Sequence, residues 1–158
     1  MSTILNAVDL RGGSVADLGI VDQIMHAAFD PRYGEAWTRN QCIGILSMPG
    51  VWLTIASVGG ESAGFALSRL VVDEAELLLL ATLPRLRRRG VGGALLRSVV
   101  ADSMTRGAVS LHLEVRDGNG AIHLYRDSGF SKVGERLRYY RGTDGHAYDA
   151  FTFRRELA

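Results

Sequence analysis

The stretch Arg87–Leu96, RRRGVGGALL, sets three arginines and three glycines directly ahead of an apolar run. It follows ELLLLATL (76–83), an almost wholly apolar segment of strand length that Pro84 ends. Such a run predicts a strand in the middle of a sheet, buried on both faces. Downstream, Leu95, Leu96, Val99, Val100 and Met104 recur at helical spacing until Gly107 closes the run. The order is therefore strand, glycine turn, helix. A helix N-terminus exposes unpaired N–H groups and carries roughly half a unit of positive charge. An anion binds there if the backbone can approach it closely. Gly90, Gly92 and Gly93 remove side chains where that approach would occur, and Arg87, Arg88 and Arg89 add charge. A P-loop is excluded because the turn has no lysine, and the GxGxxG fingerprint because its third glycine would fall on Leu95. On the residues alone, a diphosphate cradle and a plain glycine turn are equal alternatives.

Outward from this turn, the hydrophobic period divides the rest of the chain. STILNAVDL (2–10) predicts a short strand, and Ser14 caps a helix to about Phe29 on which Val21, Ile24, Met25, Ala28 and Phe29 share a face. DPRYG (30–34) breaks it, and TRNQ (38–41) has capping-box form for a second short helix. VWLTIASV (51–58) and SAGFALSRLVV (62–72) are strand-like and joined at Gly59-Gly60, a hairpin signal. DEA (73–75) predicts the next turn. VSLHLEV (109–115) predicts a strand, 119–128 a short helix, and 130–141 with 147–157 a last hairpin around GTDG. One strand, two helices, a three-strand meander, helix, strand, helix and two strands give an α+β fold around a central mixed sheet, an α/β/α sandwich-like arrangement.

The 158 residues fit a single domain, 1–158. Hydrophobic residues make up 47% and the net charge is +1, which gives no support to direct nucleic-acid binding. A single cysteine, Cys42, excludes an intrachain disulfide and a thiolate-rich metal site. The four histidines form no metal motif, so no metal is expected. MSTILNAVDLRGGS lacks the basic and apolar regions of a signal peptide, and no apolar stretch reaches the roughly 20 residues that span a bilayer. A cytoplasmic protein without a membrane partner is the expectation.

The glycine turn also matches the R/Q-x-x-G-x-G/A signature of the GNAT acetyltransferases, with Arg87, Gly90 and Gly92 in the signature positions. DEAELLLLATLPRLRRRGVGGALL, LHLEVRDGN, LYRDSGF and RYYRGTDGHAYDA extend the match, so that the chain from about Asp73 to Ala150 resembles the bacterial RimI-type enzymes, which acetylate the N-terminal amine of a small-subunit ribosomal protein. The resemblance implies a central, mostly antiparallel sheet splayed between two parallel strands, with acetyl-CoA as cosubstrate lying across the splay. It implies that the backbone of Leu80, Ala81 and Thr82 pairs with the pantetheine arm. It also implies that the turn through Arg87, Arg88, Arg89, Gly90, Val91, Gly92 and Gly93 holds the diphosphate, and that Asn119 contacts the cofactor.

Acetyl transfer from a thioester to an amine needs a proton acceptor for the amine, a donor for the oxyanion and an acid for the leaving sulfur. By resemblance Glu114 is the base and Tyr125 the acid, with a backbone N–H near Leu80–Thr82 as oxyanion donor. Glu114 has a plainer alternative, an ion pair with Arg116, and Tyr125 another, a core aromatic. Glu76 is the runner-up base. Trp37, Glu76, Tyr139 and Tyr140 are candidates for the acceptor groove. The segment from Asn119 to Tyr125 is one residue shorter than in the resembled family, and Gly118 and Gly120 are the positions able to absorb the change. The expected activity is acetylation of a protein N-terminus in a ternary complex. The alternatives are a small amine or lysine side chain as acceptor, or a CoA-binding module without catalysis.

Overall fold

The structure, a computed structural model, describes residues 7–157. Its elements follow the expected order: β1 (Val8–Gly13), α1 (Leu18–Ala28), α2 (Arg39–Leu46), β2 (Val51–Val58), β3 (Glu61–Val71), β4 (Glu74–Thr82), α3 (Val91–Thr105), β5 (Ser110–Arg116), α4 (Ala121–Asp127), β6 (Ser131–Arg141) and β7 (Ala147–Glu156). Of the first expected strand, residues 2–6 lie outside the described residues. Among the described residues no helix is long and apolar enough to cross a membrane.

Local chemistry sets several boundaries. Ser14 and Asp17 form a capping box ahead of a 3-10 turn that leads into α1. Thr38 and Gln41 form a second one at α2, with the Gln41 N–H on the Thr38 hydroxyl at 3.2 Å and the Thr38 N–H on Gln41 Oε1 at 2.7 Å. Gly59 and Gly60 both take positive φ, the pattern of a tight hairpin turn.

The seven strands form one sheet in the order β1-β2-β3-β4-β5-β7-β6, antiparallel except for β4 beside β5. Apolar residues on its two faces feed two cores. One joins Leu95, Leu96 and Val99 of α3 to Leu111, Leu113 and Phe153, and the other joins Val21, Ile24 and Met25 of α1 to Ile55, Phe65 and Leu67. Helices therefore cover both faces, as expected for a sandwich of this class.

The segment ELLLL conceals a change of phase. Leu67 pairs with Leu79, but the next residue, Ser68, pairs with Leu77, so Leu78 is an extra residue on β4. The bulge shifts the side-chain alternation. Ala75, Leu77 and Leu80 pack toward α3, whereas Leu78, Leu79 and Ala81 pack toward α1. It also bends β4 at the point where parallel pairing with β5 ends, at Leu77 and Leu113. Beyond that pair the two strands separate. The expectation of burial on both faces thus needs correcting: Glu76, Leu78, Leu80 and Thr82 are only half-buried, because the separation opens a cleft beside them.

Two further expectations shift. The turn placed at 73–75 lies at Val72-Asp73, since Val71 pairs with Glu74. Val72 takes φ +58° and is 90% exposed, a conformation costly for a β-branched side chain. Val72→Gly is expected to stabilise the fold by about 1 kcal/mol, a rise in Tm of about 2–4 °C by calorimetry. On α3, Met104 is 52% exposed and Ser103 is buried in its place. The Ser103 hydroxyl donates to the Val99 carbonyl at 2.6 Å, and this internal bond lets a small polar residue enter the core.

Candidate active site

The separation of β4 from β5 opens a cleft of about 780 Å³. Its walls are β4 and β5, its ends the start of α3 and the segment between α1 and α2. On the β5 side, β4 has no strand partner from Leu78 to Thr82, so peptide groups on that edge are available to an extended ligand. Leu80, Ala81 and Thr82 all line the cleft.

At one end, α3 begins without a side-chain cap, in contrast to Ser14 and Thr38. The Ala94 N–H closes the first helical bond, onto the Gly90 carbonyl at 2.9 Å, which leaves the N–H groups of Val91, Gly92 and Gly93 in the open first turn. Gly90 takes φ +78° as the helix enters. A Cβ on Gly92 would lie 3.4 Å from Leu124 Cδ2 and 3.9 Å from Thr82 Oγ1. It would project into the cleft without striking the protein, so it is the cleft that a side chain there would fill. Arg87 and Arg88 line the cleft and Arg88 takes φ +66°. The Arg87 Nη2 donates to the Ala28 carbonyl at 3.1 Å, where α1 ends. Arg89 is exposed and does not line the cleft. An uncapped helix start, a glycine face and flanking arginines fit the diphosphate of CoA.

Near the centre, Tyr125 of α4 lies with its ring edge-on to Phe130, centroids 6.0 Å apart, and also lines the cleft. Both the core position and the cleft position weighed for it are therefore occupied by one side chain. Burial, and secondarily the charge of Glu35, holds its hydroxyl well above the ordinary phenol range, so it stays protonated. Asn119 and Tyr125 both reach the cleft despite the short segment between them. Gly118 takes φ +86°, whereas Gly120 is right-handed helical, so of the two glycines only the first takes an unusual conformation.

The other half of the cleft is acidic and aromatic. Glu114, its side chain 9% exposed, accepts the Thr152 hydroxyl at 2.6 Å and pairs with Arg136 Nε at 3.0 Å. The expected alternative pair, Glu114 with Arg116, does not form. Arg116 turns to Glu35, with Nε 3.1 Å from Oε1. Glu76 sits inside β4, held by Arg69 Nη2 at 2.7 Å with His112 Nε2 at 3.8 Å. Trp37, Tyr139 and Tyr140 line the same half, with the two tyrosine rings edge to face at 4.9 Å. The Tyr140 hydroxyl donates to the Glu114 carbonyl at 3.3 Å, and burial, then the charge of Glu35, raises it above the phenol range.

Glu35, Arg136 and Thr152 were not legible as site residues. Thr152 reaches Glu114 only through β5–β7 pairing, in which the two face each other. Glu35 follows a stretch whose proline and glycine signal no more than a helix break.

The family model for the acetyltransferase (GNAT) family matches residues 20–130. The chain belongs to the GNAT family. Among other GNAT proteins, the [ribosomal protein bS18]-alanine N-acetyltransferase of Escherichia coli K12 is 42% identical over 87 residues, which are 54% of this chain and 59% of that protein. The N-alpha-acetyltransferase RimI of Mycobacterium tuberculosis H37Rv is 40% identical over 106 residues, 64% of this chain and 63% of that one. The matches thus span somewhat under two thirds of these relatives. In three dimensions the crystal structure of the ribosomal-protein-S18-alanine N-acetyltransferase from E. coli is similar over 96% of this chain and 95% of that one, with a TM-score of 0.84 and 29% identity. Ard1 from Thermoplasma volcanium follows with a TM-score of 0.80 and 27% identity. The fold is the GNAT fold expected from the glycine turn.

Proposed function

We propose that this GNAT protein transfers the acetyl group of acetyl-CoA to the N-terminal α-amine of a protein, with a ribosomal protein as the first candidate. The observation that carries the proposal is the continuity of one cleft, from the uncapped start of α3 past Tyr125 to Glu114. The similarity to bacterial enzymes named for bS18-alanine acetylation supports the choice of acceptor.

Acetyl-CoA supplies an acetyl thioester. First-turn N–H groups of α3 hold the diphosphate, and the free edge of β4 holds the pantetheine amides. Glu114 accepts the amine proton, directly or through a water, as the nitrogen bonds to the acetyl carbon. Each of its oxygens keeps a second lone pair beside the bonds to Thr152 and Arg136. Tyr125 gives its proton to the sulfur as the C–S bond breaks. A backbone N–H of the 80–82 segment faces the carbonyl oxygen as it gains charge.

CoA release with acetyl-CoA, measured against a panel of N-terminal peptides and small amines, tests the proposal. Turnover with peptides is expected. Turnover with small amines alone overturns the acceptor, and tight CoA binding without any turnover overturns the activity. Glu114→Gln is expected to lower the rate about tenfold at pH 7, with CoA affinity unchanged. The deficit should shrink above pH 9, because an α-amine with a pKa of about 8 is by then its own free base. A rate equal to wild type at pH 7 would move the role to Glu76 or to solvent.

A further inference from the structure

Glu35 takes no part in the transfer as described, yet it is among the most enclosed charges of the protein, its side chain 10% exposed. It lies between α1 and α2, and its two carboxylate oxygens reach across to the last residue of β5 and to the turn before α4. Oε1 accepts from Arg116 Nε at 3.1 Å, and Oε2 accepts from Asn119 Nδ2 at 2.9 Å. Arg116 is further fixed by the Tyr33 ring, 3.6 Å below its guanidinium, and by the Asp117 carbonyl, 3.1 Å from Nη1.

The segment carrying Glu35 is itself anchored on the β6–β7 hairpin. A Cβ on Gly34 would fall on the Arg141 carbonyl, and one on Gly142 would fall on the Arg32 carbonyl. Tyr33 meets Tyr148 edge-on, with centroids 5.2 Å apart. Glu35 is thus an arm from a fixed base. At its far end stands a weak element. α4 has seven residues, too few for a stable helix on its own, and its start has one side-chain bond, from the Ala121 N–H to Asn119 Oδ1 at 2.9 Å. Tyr125 lies one turn further on.

We propose that Glu35 is a positioning residue for acetyl transfer: by holding Asn119 and Arg116 it orients the start of α4, and with it Tyr125. The inference rests on the reading of Tyr125 as the acid. The Glu35 charge also adds to burial in keeping that tyrosine protonated.

An exchange of donor and acceptor tests it. Glu35→Gln turns an N–H₂ group toward either Asn119 or Arg116, so one donor faces another. Asn119→Asp keeps the acceptor for the Ala121 N–H but sets two carboxylates together. With both changes, the introduced amide donates to the introduced carboxylate while its oxygen still accepts from Arg116, and the net charge is unchanged. Glu35→Gln is expected to lower kcat about tenfold or more with the Kd of CoA within about threefold of wild type, and Asn119→Asp, at a residue that also faces the cofactor, to lower kcat at saturating acetyl-CoA by as much. The double change should return kcat to within about threefold of wild type. Glu35→Asp, which keeps the charge but loses the reach, should be as slow as Glu35→Gln. In a Tyr125→Phe background, Glu35→Gln should cost less than about twofold more. Wild-type kcat in Glu35→Gln, no rescue of kcat in the double variant at saturating acetyl-CoA, or a loss of CoA affinity in Glu35→Gln parallel to its loss of kcat overturns the role of Glu35 alone. A Tyr125→Phe protein with wild-type kcat overturns the acid assignment and the inference together.

Discussion

Tyr125→Phe is expected to lower kcat about 100-fold at pH 7 and to leave both the Kd of CoA and the melting temperature close to wild type. Among the described residues the Tyr125 hydroxyl makes no hydrogen bond, so its removal deprives no partner. The ring keeps its place against Phe130. Loss of rate without loss of stability therefore separates a chemical role from a packing role, the two alternatives that the sequence leaves for this residue. The pH profile adds a second check. Burial and the Glu35 charge hold the hydroxyl above the ordinary phenol range in the folded protein, so the proton stays available as pH rises. The kcat of the wild-type protein should show no decline attributable to this group below about pH 10. A decline near pH 8 that disappears in Tyr125→Phe would contradict the assignment, as would a phenylalanine variant of full rate.

Gly92→Val is expected to weaken CoA binding about 100-fold or more, measured by calorimetric titration, with little change in Tm. The basis is the space around the α carbon. A Cβ there would sit at ordinary contact distance from Leu124 and Thr82, so the first side-chain carbon meets no clash and the rest extends toward the cleft. A β-branched side chain in the first turn would occupy the volume through which a diphosphate approaches the N–H groups of α3. The loss is of access, and no charge changes. Arg88→Ala is the contrasting variant: Arg88 is exposed, and its removal is expected to cost less than about tenfold. The reverse order, with Arg88→Ala the more damaging, would mean that side-chain charge rather than backbone access holds the cofactor.

The features legible in the sequence are those whose cause is local. Ser14 with Asp17 and Thr38 with Gln41 cap helices through bonds spanning three residues, and Gly59-Gly60 turns a hairpin through its own dihedrals. The glycine turn and uncapped helix start at Arg87–Gly93 are legible for the same reason, since their residues are contiguous in the chain. What misled was also local. The four leucines 77–80 have no polar member among them to mark a phase, so the bulge at Leu78 leaves no trace in the pattern. Val72 has no turn propensity, yet the register of β3 on β4 imposes positive φ on it.

The acidic and aromatic half of the cleft was legible only in part. Glu114, Glu76, Trp37 and the adjacent Tyr139 and Tyr140 do line it, from four separate points along the chain. Their partners were not legible, because each comes from a distant element. Arg136 and Thr152 reach Glu114 from β6 and β7, and Glu35 reaches Asn119 across 84 positions. No short-range pattern encodes which carboxylate meets which guanidinium.

By itself, then, the sequence determined the order of elements, the strand–turn–helix unit with its glycines and the residue types available to move protons. Periodicity, capping and turn chemistry act within a few residues, and they suffice for that. Only the tertiary structure decided that β4 and β5 part after Leu77 and Leu113, that Glu114 pairs with Arg136 rather than Arg116, and that Glu35 ties the α1–α2 segment to the end of β5 and the turn before α4. Those outcomes depend on strand register and on charges brought together from remote positions, where the interaction energy belongs to the pair and not to either residue's neighbourhood.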